Sequence, residues 1–141
     1  MSGYLLDTNV LSETVKPQAN TNVLAWLEAS DEQLFHVSVL TLGEIRSGID
    51  SAPPPARRAN LESWLSRDLL IRFAGRILGV NQEIADRWGR ITAKALVAGR
   101  PIPAMDALLA ATAFHHNLTL VTRNTKHAAP TGVPVFNPWE S

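Results

Sequence analysis

No cysteine occurs among the 141 residues. Disulfides and thiolate metal sites are thereby excluded, and the composition suits a reducing cytoplasm, where the protein is expected to reside. Long hydrophobic runs are also missing. None approaches the roughly 20 apolar residues that a membrane-spanning helix needs. The first residues hold no basic segment followed by a long apolar stretch, so no signal peptide is expected. Net charge is absent too, with 13 Lys and Arg against 13 Asp and Glu. What is present is a hydrophobic content of 45%, which fits a globular chain and not a disordered one. The length leaves room for one domain spanning residues 1–141, and no internal repeat divides it.

The zero balance hides an asymmetry. Residues 57–100 carry nine Lys and Arg against four acids, a local charge of +5, and the remainder carries −5. A basic middle beside acidic ends points to a polyanion partner on one face and a cation site elsewhere. Arginine as an ordinary surface helix residue is the plainer alternative.

Strand and helix patterns alternate along the chain. "GYLL" reads as a short buried strand, followed by a helix capped by Thr8 or Asn9 and ended before Pro17. Asn20 opens a second helical pattern. "QLFHVSVLT" is a strand by its β-branched and aromatic content, and "LGEIRSGID" places Leu42, Ile45 and Ile49 on one helical side. The prolines at 53–55 interrupt the chain before another helix through Leu61, Trp64, Leu65 and Leu69. "RILGV" is a third strand. A long helix capped by Asn81 ends at Gly99, and the next helix takes Pro103 into its first turn. "LTLVTRN" and "VPVFN" supply the last strands. Such alternation predicts a parallel sheet covered on both faces.

Ligands of open parallel sheets bind beyond the carboxyl ends of the strands. Asp7 follows the first strand directly, and Asn124 closes the fourth. Glu44 lies about one helical turn past the second strand, and Asp106 sits in the first turn of the helix before the fourth. These four groups can meet at one sheet edge. Gly48 below Glu44, and Ala110 and Ala113 below Asp106, would let their helices approach the sheet closely. Taken singly, each group has an ordinary structural reading: Asp7 as a cap, Glu44 as a solvated residue, Asp106 as a complement to the helix dipole, Asn124 as a turn residue. Taken together, clustered carboxylates repel and raise one another's pKa unless a cation neutralises them. Oxygen ligands without cysteine point to a hard ion, Mg²⁺ or Mn²⁺, and to phosphodiester hydrolysis as the chemistry.

At this point a family becomes visible. "LLDTNVLSE", "VSVLTLGEIRSGI", "IPAMDALLAATAFHHNLTLVTRN" and "VFNPW" resemble the PIN-domain ribonuclease toxins of type II toxin–antitoxin systems, nearest to the VapC/FitB-like branch. The resemblance spans essentially the whole chain. It implies a three-layer α/β/α sandwich around a central, mostly parallel sheet, and a Mg²⁺- or Mn²⁺-dependent endoribonuclease. It also implies a homodimer or higher assembly and a cognate, DNA-binding antitoxin. Asp7, Glu44 and Asp106 fall on the family's three core acidic positions, which serve catalysis and metal binding, and Thr8 matches the hydroxyl beside the first acid. Two departures stand out: an amide, Asn124, at a place where a fourth acid is common, and His127 where many relatives carry an aspartate. Less negative charge there predicts one well-bound metal and a weak or substrate-assisted second.

An RNA substrate calls for cations around the acids, and Arg46 and Arg123 are the nearest in sequence to Glu44 and Asn124. No element encodes a base sequence. Trp64 and Trp88 fall in apolar helical patterns and read as packing residues. Leu61, Trp64, Leu65 and Leu69 are the candidates for an antitoxin groove, by analogy with the family. His115 and His116 read as helix-terminal capping residues, and His36 as a strand residue with a local partner. Two other readings stay open: a PIN-like RNA- or protein-binding module with little catalysis, and a nuclease acting on single-stranded DNA.

Overall fold

The computed structural model describes residues 3–51 and 55–140. Its centre is a five-stranded sheet, all parallel, in the order β3-β2-β1-β4-β5. The strands are β1 (Tyr4–Leu6), β2 (Phe35–Ser38), β3 (Ile77–Leu78), β4 (Thr119–Val121) and β5 (Val135–Phe136). The chain builds outward from β1 in one direction through β2 and β3, and then returns to β1's other side with β4 and β5. The point where the winding reverses lies between β1 and β4, paired in register as Leu6 with Val121.

Side-chain alternation in β1 divides the core into two layers. Leu6 faces a cluster with Val10 and Leu11 of α1 (Thr8–Glu13), Val23 of α2 (Thr21–Ala29), and Ile45 and Ile49 of α3 (Val39–Asp50). Leu5 faces the other way, against Leu109, Ala110 and Ala113, with Ile91 beside them. Those residues belong to α7 (Ala104–His115) and α6 (Gln82–Val97). Helices on both faces make the expected α/β/α sandwich.

Several boundaries differ from expectation for local chemical reasons. The second strand stops at Ser38 because its hydroxyl accepts the Leu40 N–H at 3.0 Å, turning Val39–Thr41 into the first turn of α3. Pro103 stands at the cap position and not inside α7. Asp7, and neither Thr8 nor Asn9, caps α1. Asn81 does cap α6, and Gly99 leaves that helix with a φ of 72°, which glycine adopts without strain. Of the proline-rich break, residues 52–54 lie outside the described residues, and Pro55 opens α4 (Pro55–Ser63).

Helix α4 continues into a π-helical stretch at Trp64–Leu69, then α5 (Leu70–Arg72). Leu61, Leu65, Leu69 and Phe73 recur every four residues and all pack into the first cluster. On an α-helix a four-residue repeat drifts by about 40° per step. The wider π turns absorb that drift and keep the row on the core.

Arg76 ties this segment to the entrance of β2. Its guanidinium donates to the backbone carbonyls of Glu32, Phe35 and Arg72 and to the Glu32 carboxylate. Burial pulls the Glu32 pKa up, but hydrogen bonds from Arg72 and Arg76 outweigh it and hold the carboxyl below its ordinary value. This contribution is therefore present above the ordinary carboxylate range and fades as pH falls through the lowered pKa. Arg76→Ala is expected to cost about 2–3 kcal/mol in urea melts, because it removes the partly buried bonds to the carbonyls of Phe35 and Arg72 and to the Glu32 carboxylate together.

Candidate active site

Parallel α/β sheets place ligands where the winding reverses. Asp7 leaves β1 at that point, with its N–H bonded to the Val121 carbonyl at 2.9 Å. Its side chain is buried, and both carboxylate oxygens are held. Oδ1 accepts the Thr8 N–H at 2.6 Å, and Oδ2 accepts the Thr122 hydroxyl at 2.7 Å and the Asn9 amide at 3.4 Å. The alternatives of cap and functional acid are thus one and the same residue. Capping fixes the carboxylate, and the sheet aims it.

Burial pushes the Asp7 pKa up. Hydrogen bonds from Thr122 and Thr8 pull the other way, and the charges of Glu44 and Asp106 add to the rise. Glu44 and Asp106 thus stand near enough to Asp7 for their charges to bear on it. Glu44, half-buried on α3, accepts the Thr8 hydroxyl at 2.6 Å. Asp106, in the first turn of α7, pairs through Oδ2 with His127 Nδ1 at 2.8 Å. An ionised carboxylate only accepts, so Nδ1 carries the proton in this pair. The sequence marked His127 as a departure; its contact with Asp106 gives it a place in the site.

Asp7 and Asp106 line one small pocket with Leu109, Leu120, Thr122, Asn124 and Ala128. Glu44 lines a neighbouring groove of about 340 Å³ with Thr8, Arg57, Leu61 and Trp64. Thr8 joins the two. Asn124 is exposed, and its backbone N–H, not its amide, bonds the Thr122 hydroxyl at 3.0 Å.

Among the described residues, no group of three Asp, Glu or His side chains stands close enough together to hold a metal ion. An all-protein cage is therefore not built here. The donors nevertheless suit a small hard cation, which keeps several waters and takes only one or two carboxylates from the protein. Asp7 (steadied by Thr8 and Thr122), Glu44 (by Thr8) and Asp106 (by His127) are separate oxygen donors, one or two of which would meet such an ion along with water.

Other expected residues fall into place unevenly. Arg46 does not stand free beside Glu44. It forms a two-pronged ion pair with Glu62 at 2.6 and 2.8 Å and reaches Asp50, clasping α3 to α4. Arg123 lies over the Trp139 ring at 5.3 Å. Of the four groove candidates, Leu61 and Trp64 line the groove, whereas Leu65 and Leu69 are buried in the core and unavailable to a partner. Gly48 does not mark a close approach of α3 to the sheet: it is exposed, and an added Cβ would meet open space. The sheet-facing row of α3 is Thr41, Ile45 and Ile49. Ala110 and Ala113 are fully buried beneath Asp106 as expected.

His36 bonds the Leu34 carbonyl at 3.1 Å, and His115 meets the Asn81 amide at 3.4 Å. Thr122 escaped notice in the sequence although its hydroxyl grips Asp7. The signal was the parallel register, since the residue after Val121 must neighbour the residue after Leu6.

Fold and site together define an α/β/α domain with an acidic rim at the switch point of a parallel sheet. A family model described as PIN domain matches residues 4–132. Toxin FitB of Neisseria gonorrhoeae is 38% identical over 135 residues, covering 96% of this chain and 97% of the relative. VapC ribonuclease Y4jK of Sinorhizobium fredii is 33% identical, with coverage of 96% and 97%. The solved structure of FitAB bound to an IR36 DNA fragment superimposes with a TM-score of 0.91 at 37% identity, covering 96% of this chain and 95% of its counterpart. The chain belongs to the PIN-domain family, in its branch of FitB- and VapC-like toxins.

Proposed function

We propose that this chain is an endoribonuclease that hydrolyses RNA phosphodiesters with the help of Mg²⁺ or Mn²⁺ and acts as the toxin of a toxin–antitoxin pair. The observation that carries the reading is Asp7, a buried carboxylate at the switch point whose pKa is raised by burial and by Glu44 and Asp106. Its similarity to a FitB toxin and a VapC ribonuclease supports the same activity. Asp7, Glu44 and Asp106 would hold the ion. When bound, such an ion polarises a phosphoryl oxygen and makes hydroxide available near neutral pH.

The chain's own residues supply placement. Thr122 and Thr8 fix the two Asp7 oxygens, the Thr8 hydroxyl sets Glu44, and His127 sets Asp106. Partners that orient ligating side chains typically matter about 10- to 100-fold in metal affinity. His127→Ala is accordingly expected to weaken Mn²⁺ binding about tenfold by calorimetry. His127→Asn, which keeps a donor for Asp106, should retain most of it.

The groove lined by Leu61, Trp64 and Arg57 beside Glu44 is the proposed seat of an antitoxin segment. Its partner would bind DNA, as the FitAB structure on a DNA fragment suggests by similarity. A homodimer is part of the same reading. Growth arrest on expression, relieved by co-expressing a cognate antitoxin, is the expected phenotype.

The exposed amide of Asn124 and the occupied Asp106 favour one alternative, a binding module that holds RNA without cutting it. Incubation of the purified protein with single-stranded RNA and, in parallel, DNA of the same sequence separates the readings. The proposal expects cleavage of RNA in Mg²⁺ or Mn²⁺ with DNA left whole. Tight RNA binding without turnover supports the module, and cleavage of DNA changes the substrate.

A further inference from the structure

A second cavity, of about 360 Å³, opens between the end of α6 and the segment that follows β4. Its walls are largely apolar, with Ile91, Ala95, Ile102 and Pro130 among the lining residues. Two cations, Lys94 and Arg100, also line it. Both are exposed, and neither has an ion-pair partner among the described residues. That sets them apart from Arg46, Arg72, Arg76 and Arg90, each committed to a carboxylate.

The cavity and the acidic pocket share no lining residue, but two stretches of chain run from one to the other within a few residues. Ala128 lines the acidic pocket and Pro130 lines this cavity, a Cα separation of at most about 7 Å. Ile102 lines the cavity and Asp106 the acidic pocket, at most about 14 Å apart. Free cations beside an acidic rim are what a polyanion needs, since the rim itself repels phosphate. Apolar walls between those cations suit the face of an unstacked base. The volume lies within the ordinary range for small-molecule sites.

We propose that this cavity is an RNA subsite: Lys94 and Arg100 take phosphates flanking the scissile one, and the Ile91–Ala95–Ile102–Pro130 surface receives a neighbouring base. This rests on the RNA-cleaving reading above and adds to it where the strand leaves the acids. It also gives the basic middle of the chain a specific role, confined to two of its nine cations.

The test measures anisotropy of a labelled single-stranded RNA of 12 nucleotides across a salt series. An Asp7→Asn background keeps the RNA whole. Lys94→Ala/Arg100→Ala should bind roughly tenfold more weakly, and the slope of log K against log salt should fall by about 1.4, two phosphate contacts at ~0.7 each. Ala98→Leu, at the cavity wall, should weaken binding with the slope unchanged. With Asp7 restored, the double variant should lose kcat/KM through a raised KM. Arg90→Ala, which removes a cation already paired to Asp86, serves as the control.

Unchanged affinity and slope in Lys94→Ala/Arg100→Ala overturn the inference. So does intact RNA binding accompanied by loss of antitoxin inhibition or of self-association, which would make the cavity a protein-binding surface. A wild-type protein that neither binds nor cuts RNA overturns the proposed function itself. A wild type that cuts, beside unchanged variants, overturns only the subsite.

Discussion

Asp7→Asn is expected to leave only a small residual rate of RNA cleavage while raising the melting temperature. Removing a residue that acts within a catalytic unit typically lowers the rate by on the order of 10⁴-fold or more. Stability should move the other way, because the folded state buries the Asp7 charge beside Glu44 and Asp106. Asparagine keeps the shape and accepts the Thr8 N–H without the charge. Its amide nitrogen, in the place of Oδ2, turns the Thr122 hydroxyl from donor to acceptor and gives up the long contact from Asn9. A gain of roughly 1 kcal/mol is expected, in the range of relieved functional strain, or about 2–4 °C for a chain of this size.

The sign of the pH dependence follows from the direction of the shift. Asp7 holds its proton more tightly when folded, so the native state binds more protons than the unfolded one between the ordinary carboxylate value and the raised value. Wild-type stability therefore falls as pH rises through that window, and Asp7→Asn removes this component. The two proteins should melt most alike below both values. Thermal melts from pH 3 to 8 check this, and an Asp7→Asn protein less stable than wild type at pH 7 would contradict it.

The second large effect concerns additivity. Glu44→Gln is expected to lower the cleavage rate by about 10²–10³-fold, the usual scale for losing one preorganised electrostatic group. In Asp7→Asn/Glu44→Gln, however, the losses should not multiply. In the proposed site the acids would act as a unit around one centre, linked through Thr8, which donates its N–H to Asp7 and its hydroxyl to Glu44. Groups that act together fail together. The double variant should cut no slower than Asp7→Asn alone, measured as single-turnover rates on one RNA. Multiplying losses would mean that the two acids serve independent steps.

Much of this was legible in the sequence. Alternation of apolar strands with 3.6-periodic helices indicated the parallel sheet, because each strand is buried on both faces and each helix on one. Asp7 and Asp106 were visible as acids at a strand end and in a first helical turn, and Glu44 as an acid inside the helix that follows the second strand, positions set by local pattern alone. Thr122 and the His127–Asp106 contact were not, because they depend on pairing across 115 and 21 residues. The end of β2 was misjudged where Ser38 overrides the β-propensity of Val39 and Leu40. Gly48 was misjudged because a helix period shows which residues share a face, not which neighbour that face meets. Leu65 and Leu69 looked like half of an antitoxin groove until the π-helical turns kept them on the core row.

The central claim is that Asp7, Glu44 and Asp106 work through a divalent ion on RNA. The most direct measurement is the initial rate of RNA cleavage by the purified protein across a Mg²⁺ titration, ended by excess EDTA and repeated with Asp7→Asn from an identical preparation. The expected result is a rate that rises and saturates with Mg²⁺, stops on chelation, and is lower by on the order of 10⁴-fold in Asp7→Asn. Cleavage that continues at full rate in EDTA, or that runs at a comparable rate in Asp7→Asn, would contradict this mechanism.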